Sequence, residues 1–332
     1  MRPDSPMDQQ VNWARYEPGR PGGHYESFYQ RANHPTRPLA CWIRYTVFSP
    51  AGRPADALGE LWFVLFDGET GEHVVAKREH PIADCAYDRR AFGVRIADST
   101  LEPHALAGRA GETRWDLTYT DGQPPLYLLP KRLYTGRFPT AKSLVGTPLA
   151  RYDGELVADG RLVPVDGWVG SQNHNWGSRH TDRYAFGQVA GFDNAPDTFL
   201  EVTTAANRIG PVSTPLVTLL VLRHGGREHS MNTLRQGLRA SGRFGYFFWE
   251  FASQSDTVRV WGRIEAPAEA FVGLAYANPP GGVKHCLNTK IARCEVEVTD
   301  RATGTRETLV AEHRALFEIL TDDREHGVPI RA

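Results

Sequence analysis

The sequence predicts a nearly all-β protein of two domains, on three observations. Polar and apolar residues alternate in runs such as Thr257-Val258-Arg259-Val260-Trp261-Gly262-Arg263-Ile264-Glu265 and Arg293-Cys294-Glu295-Val296-Glu297-Val298-Thr299. Period-two alternation gives a strand one wet face and one buried face. Asp-Gly pairs at 121–122, 153–154 and 159–160 mark hairpin-type turns between such runs. The length of 332 residues is long for one core and suggests two, at roughly 150 residues each.

The elements follow in order. Trp42 to Phe48 is apolar or aromatic with one inserted charge, Arg44, and turns at Pro50-Ala51-Gly52. Leu61 to Phe66 is a second strand, closed by Asp67-Gly68, and His73 to Lys77 a third. Pro124-Pro125 and Pro130 punctuate a long internal loop, and Leu216 to Leu222 fits a buried strand. Asp193-Asn194-Ala195-Pro196 reads as a turn. Glu312 to Leu320 has helix-compatible residues, but Ala315, Phe317 and Ile319 alternate with Leu316, Glu318 and Leu320, so it is read as a closing strand. Helical periodicity is scarce elsewhere. Many short strands split by turns favour a sandwich or barrel over a parallel sheet. The division is placed near residue 190, giving domains of 1–190 and 191–332.

Composition narrows the function. Thirty-eight basic against thirty-nine acidic residues leave a net charge of -1 and no basic stripe, which argues against nucleic acid as a partner. The first twenty residues are polar with no apolar core, and no apolar run approaches the ~20 residues of a membrane span. A cytoplasmic location is the default expectation. Cys41, Cys85, Cys286 and Cys294 form no C-x-x-C pair and are expected to be buried free thiols. No Walker loop, dinucleotide fingerprint, nucleophile elbow or His-Glu-x-x-His is present. The histidines are scattered; His174 and His180 can share a strand face, which leaves room for a weak site, but neither has a cysteine or paired carboxylate at ligand spacing, so no metal is expected.

One segment concentrates amides, imidazoles and aromatics: Gly170-Ser171-Gln172-Asn173-His174-Asn175-Trp176-Gly177, followed by Tyr184, Phe186 and Gln188. His174 can serve as acid, base or hydrogen-bond donor near neutral pH, and Trp176 as a flat apolar wall. On a strand, Asn173 and Asn175 share a face opposite His174. The same residue types also satisfy backbone groups at bulges and corners. A second polar group, Cys286-Leu287-Asn288-Thr289-Lys290, is either the polar end of a barrel's ligand site or an edge strand whose charge discourages aggregation.

Asn173-His174-Asn175-Trp176-Gly177, with Tyr184, Phe186 and Gln188 behind it, resembles the Asp-His-x-Trp-Gly pattern of the lipocalin-like superfamily of carotenoid 1,2-hydratases (hydroxyneurosporene synthases), AttH-like proteins, tocopherol cyclases and fungal Diels–Alderases. Trp42, Arg44 and Gly59-Glu60-Leu61-Trp62 are similar to the hydratase and AttH branches. The resemblance implies two lipocalin-like (calycin) antiparallel β-barrels or half-barrels packed together, with an apolar ligand between or inside them. It also implies cofactor-free hydration or cyclisation of an isoprenoid, polyene or polyketide-like substrate. Protonating an isolated C=C needs a strong acid in a dry pocket and aromatic faces for the cation.

The hydratase branch carries a Tyr-x-Asp after the Trp-Gly motif, and its counterpart here is Phe199-Leu200-Glu201. The resemblance thus nominates Glu201 as the acid with His174 orienting it or binding water, and Trp176, Asn173, Asn175, Tyr184, Gln188 and Phe199 as substrate-binding residues. Asp193 is a second candidate acid. Asn173 in place of Asp, and Phe199 in place of Tyr, depart from the pattern. Two other readings stand beside the enzyme: a lipocalin-like carrier of an apolar small molecule, and an interaction protein with a decayed site.

Overall fold

A computed structural model of the chain describes residues 10–120, 122–136, 138–209 and 212–332. The first eleven strands are β1 (His24–Asn33), β2 (Leu39–Ser49), β3 (Leu58–Asp67), β4 (Val74–Pro81), β5 (Cys85–Tyr87), β6 (Val94–Ile96), β7 (Ser99–Glu102), β8 (Ala105–Ala110), β9 (Thr113–Tyr119), β10 (Ala141–Ala158) and β11 (Arg161–Gly177). They form one antiparallel sheet, ordered β4-β3-β2-β1-β11-β10-β9-β8-β7-β6-β5, that curls into a nearly closed barrel.

The rest of the chain supplies β12 (Arg183–Phe192), β13 (Ala195–Ala206), β14 (Arg208–Ile209), β15 (Val212–Ser213), β16 (Val217–His224), β17 (Arg227–Met231), one helix α1 (Leu234–Arg239), β18 (Ser241–Phe244), β19 (Phe248–Gln254), β20 (Val258–Glu265), β21 (Val272–Ala277), β22 (Val283–Asp300) and β23 (Arg306–Thr321). Ten of these strands make a second sheet, ordered β17-β16-β13-β12-β23-β22-β20-β19-β18, with β21 on the first half of β22. It bends back on itself: Trp249 on β19 donates from Nε1 to Thr204 Oγ1 on β13 at 3.1 Å. The protein is therefore the expected all-β pair of packed lipocalin-like units.

Alternation in the strands sorts side chains into layers. Phe28, Ile43, Tyr45, Leu61, Phe63 and Trp115 fill the first barrel. The opposite face of the same strands presents Tyr29, Trp42, Trp62, Val64 and Phe66, which join one apolar cluster with the second sheet. Between the sheets lies a buried polar layer. Arg31 on β1 donates to Gln188 Oε1 on β12 at 2.9 Å and to the Arg314 carbonyl on β23 at 3.2 Å. Asn33 donates to the Lys290 carbonyl at 2.7 Å. Buried polar atoms so paired fix one docking geometry, because any other leaves them bare in a low dielectric.

Several expectations are refined. Asp159-Gly160 is the β10–β11 hairpin turn, with both residues at positive φ (50° and 70°) as a two-residue type I′ turn requires. Asp153-Gly154, read as another turn, is instead a bulge inside β10, where the pairing with β11 shifts register. Asp121 lies outside the described residues. Asn288 and Lys290 sit on an interior strand, not an edge: β22 is flanked by β23 on one side and by β20 and β21 on the other. The four cysteines are free, with Cys41, Cys286 and Cys294 buried and Cys85 half-buried. Residue 190 falls inside β12, and the chain changes sheet between Gly177 and Arg183. No helix among the described residues is long and apolar enough to cross a membrane.

Gly170 lets β1 and β11 approach where they close the first sheet. A Cβ there would stand 1.7 Å from the Arg31 carbonyl oxygen, a backbone atom that cannot step aside. Gly170→Ala is expected to cost at least about 3 kcal/mol by overpacking, read as a lower urea midpoint at unchanged m-value.

Candidate functional site

Two polar sites are built on opposite faces of β11. Gln172, His174 and Trp176 point to one side, and Ser171, Asn173 and Asn175 to the other, as alternation demands.

On the first side His174 is fully buried and its Nε2 lies 2.7 Å from Glu26 Oε1. Its ring stacks on Phe28 at 4.1 Å and meets Trp176 at 4.5 Å. Glu26, also fully buried, accepts from the backbone N–H groups of Arg15 and Tyr16 at 2.8 Å, and its Oε2 lies 3.1 Å from His24 Nε2. Burial alone would raise the Glu26 pKa, but the bonds from His174 and His24 hold it down at about 2. Burial lowers the pKa of His174 against the pull of Glu26. A neutral His174 then donates from Nε2 to the carboxylate, and its Nδ1 has no partner. The Arg15 guanidinium covers the Trp176 ring at 5.0 Å. This cluster fastens residues 11–16 over the first barrel; it does not open to the space between the sheets.

On the other side, between the sheets, lies a cavity of about 480 Å³. Its inner end carries Tyr25, Tyr29, Arg44, His180, Tyr276 and Glu318. Its outer walls are apolar: Leu128, Leu129 and Leu133 from the long loop before β10, and Val217, Leu219 and Leu234 from β16 and α1. Arg44 donates to Ser27 Oγ at 2.8 Å and stands 4.5 Å over the Tyr276 ring. Burial opposes its charge, but Tyr276, Glu60 and Glu318 outweigh that and raise its pKa. His180 stacks on Tyr25 at 4.0 Å. Burial, with Arg44 nearby, pushes its pKa down to about 3, so its ring is neutral. Glu318 accepts from Asn288 and from the fully buried Lys290, both at 2.9 Å.

Of the residues nominated from sequence, Asn175 and Tyr184 line this cavity, and Asn175 Oδ1 has no hydrogen-bond partner. Glu201 stands on β13, on the same face as Thr203, which lines the cavity; Gln188 is its cross-strand neighbour. It is 1% exposed and its Oε2 has no partner. Burial, weakly opposed by Arg223, pushes its pKa up to about 8, so the carboxyl is protonated at neutral pH. Asn173 and Gln188 are tied to each other and to Ser171 and Arg31 in the polar layer. Phe199 packs with Leu126, Val145, Ala190 and Val221. His174 and Trp176 lie across β11 from Glu201, so His174 does not orient it. Asp193, the second candidate acid, sits in the β12–β13 turn, bound to Arg314 and to the backbone N–H of Glu312.

Sequence reasoning missed Tyr25, Tyr29, His180, Tyr276 and Glu318. Glu318 had a signal: one carboxylate inside the apolar run Ala315 to Leu320. Among the described residues, no three His, Cys, Asp or Glu side chains come together in a set able to hold a metal ion. A larger depression of about 760 Å³ along β4 and the β8–β9 turn is walled by Glu72, Lys77, Arg78, Glu112 and Arg161 and lies away from these residues.

No family model matches the chain. An uncharacterised protein of Mycobacterium tuberculosis, recorded in strains H37Rv and CDC 1551, is 25% identical over 286 residues, covering 84% of this chain and 82% of that protein. Among solved structures, an AttH-like protein of Nitrosomonas europaea superposes with a TM-score of 0.57 at 13% identity, over 90% of this chain and 91% of its own. Kievitone hydratase of Nectria haematococca gives 0.56 at 10% identity, over 91% and 89%. CghA in complex with Sch210972 gives 0.53 at 11% identity, over 95% of both chains. The chain thus shares the fold of these three proteins.

Proposed function

We propose that this chain is a cofactor-free enzyme that hydrates or cyclises an apolar polyene, isoprenoid or polyketide-like molecule held between its two sheets. The observation that carries the reading is an apolar-walled cavity with a buried carboxyl, Glu201, set two residues along β13 from the lining residue Thr203 and not itself in the lining. A drug-sized apolar ligand fits about 480 Å³. Glu201, buried behind that lining, has the pKa direction an acid needs to give a proton to carbon at neutral pH. Among the phenol rings lining the cavity, those of Tyr29 and Tyr184 are not faced by Arg44 or His180 and would stabilise a developing cation. Asn175 Oδ1, unpaired, is an acceptor for the attacking water or for a polar group of the ligand. The presence of a hydratase among the similar structures supports the reaction class.

Such a chain should hold its ligand through gentle purification. Native mass spectrometry is expected to show an adduct that organic solvent extracts as an apolar molecule. Incubating that molecule with fresh protein should give a product heavier by one water, or an isomer of equal mass. An adduct that is never converted would favour the carrier, and a protein that takes up no apolar molecule would remove both readings.

A further inference from the structure

We propose that the rim of the inter-sheet cavity docks on an anionic phospholipid surface, so that an apolar substrate passes from the bilayer into the cavity without crossing water. The inference rests on the cavity being a site for an apolar molecule, and it adds where that molecule comes from.

Eight large apolar side chains are exposed among the described residues, and four of them gather here. Phe138 is 77% exposed, Leu234 68%, Leu238 51% and Leu216 42%. Phe138 belongs to the loop before β10, and the others to α1 and the start of β16. Phe138 and Leu234 themselves line the cavity. The two segments are tied together, since Asn232 donates to the Tyr127 carbonyl at 3.2 Å. Lys142 holds the loop that carries Phe138, donating to the Gly136 and Pro139 carbonyls at 2.7 and 2.9 Å. Apolar tips held out into water around a cavity mouth are exposed at a cost that a lipid interface removes.

Charge selects the occupant. Residues 126–136 and 138–142 contain Lys131, Arg132 and Lys142 and no acid; residues 231–240 contain Arg235 and Arg239 and no acid. The whole chain carries -1, so this concentration is local. Arg132, Arg235 and Arg239 are exposed and make no ion pair among the described residues. Apolar tips flanked by the exposed Arg132, Arg235 and Arg239 match the headgroup layer of an anionic bilayer. A second copy of the chain, docked by the same face, would set these cations against their own kind.

The test is co-sedimentation of the full chain with large vesicles of phosphatidylcholine alone, or of equal parts phosphatidylcholine and phosphatidylglycerol. The mixed vesicles are expected to bind at least about tenfold more tightly. Arg235→Glu with Arg239→Glu, and separately Phe138→Ser with Leu238→Ser, should each remove most of that difference at an unchanged urea midpoint. Salt of about 0.5 M should weaken the wild type in the same way. Equal affinity for both vesicles, or variants that bind as the parent does, would overturn the proposal. So would variants whose only effect is to break up a dimer in analytical ultracentrifugation, or to release an acidic protein partner. Uptake of the soluble dye anilinonaphthalene sulfonate, read on the same samples, separates the two ideas. Dye uptake without vesicle binding sinks the docking and spares the cavity reading. Vesicle binding without dye uptake supports the docking and sinks the cavity reading.

Discussion

Glu201→Gln is expected to lower turnover by at least about a hundredfold, the usual worth of a general acid, and to make the protein more resistant to urea at pH 8 than its parent. Both effects follow from one cause. The Glu201 carboxyl is held protonated up to a pKa of about 8, against 4.5 for an ordinary glutamate. In the unfolded chain it ionises above about pH 4.5, whereas the folded protein keeps the proton until about pH 8. The Glu201 contribution to stability is therefore full below pH 4.5, falls through that window, and levels off above it. At 1.36 kcal/mol per pH unit the loss is at most about 5 kcal/mol. Glutamine has the same shape and no charge, so the variant escapes the fall. Urea unfolding at pH 4.5 and pH 8 should show a stability difference, variant minus parent, that grows with pH. If the profile is as described but turnover is unchanged, the acid lies elsewhere.

Glu26→Ala should have the opposite pH signature and a larger cost at neutrality, about 3–5 kcal/mol. Its carboxylate serves the backbone N–H groups of Arg15 and Tyr16 and the rings of His24 and His174. Removing it leaves those groups bare in a buried site. Its folded pKa of about 2 lies below the ordinary 4.5. The stabilisation is thus present above pH 4.5 and lost as pH falls toward 2, by up to about 3 kcal/mol. Urea unfolding at pH 7 and pH 3 checks both statements: the gap between parent and variant must shrink on acidification. Limited proteolysis should cut first among residues 11–16, whose hold on the barrel runs through this carboxylate. A variant as stable as the parent at pH 7 would show that the cluster is not what fastens the segment.

Much of the fold is legible because the strands obey period two. The alternating run 257–265 is β20, Val258–Glu265. The Ala315 to Leu320 stretch hides its period, since every residue there is buried: β23 has the polar layer on one face and the second sheet's core on the other. Only the even partition of its residues marked it as a strand. The helix α1 was written in the chain by a capping box, Thr233 to Gln236, but a six-residue helix adds too little periodicity to be weighed. The site is legible in part. Asn175 and Tyr184 come from the segment that drew attention, Glu201 came only through the family resemblance, and strand alternation sends His174 and Trp176 to the opposite face. Arg44, Tyr276 and Glu318 reach the cavity from strands remote in sequence, so only the register of the two sheets could bring them together. Arg44 and Glu318 did leave one trace, a lone charge inside an apolar run, where burial demands a partner or a function.

The way each sheet is joined also sets the order of events during synthesis. β1 pairs with β11, with Tyr25 opposite Gly177, and β12 with β23, with Tyr184 opposite Leu320. Each unit is thus completed only by its last strand. At translation rates of ~5–20 residues per second, an emerging β1 waits roughly 10–30 s for β11. Through that interval its open edge and the apolar faces of β1 to β3 have no cover, which is the hazard of non-local strand pairing. The first unit can nonetheless close before β12 has left the ribosome, because none of its strands comes from beyond Gly177. The nascent chain is then a finished barrel displaying Tyr29, Trp42 and Trp62 as a template, on which the second unit assembles as it emerges.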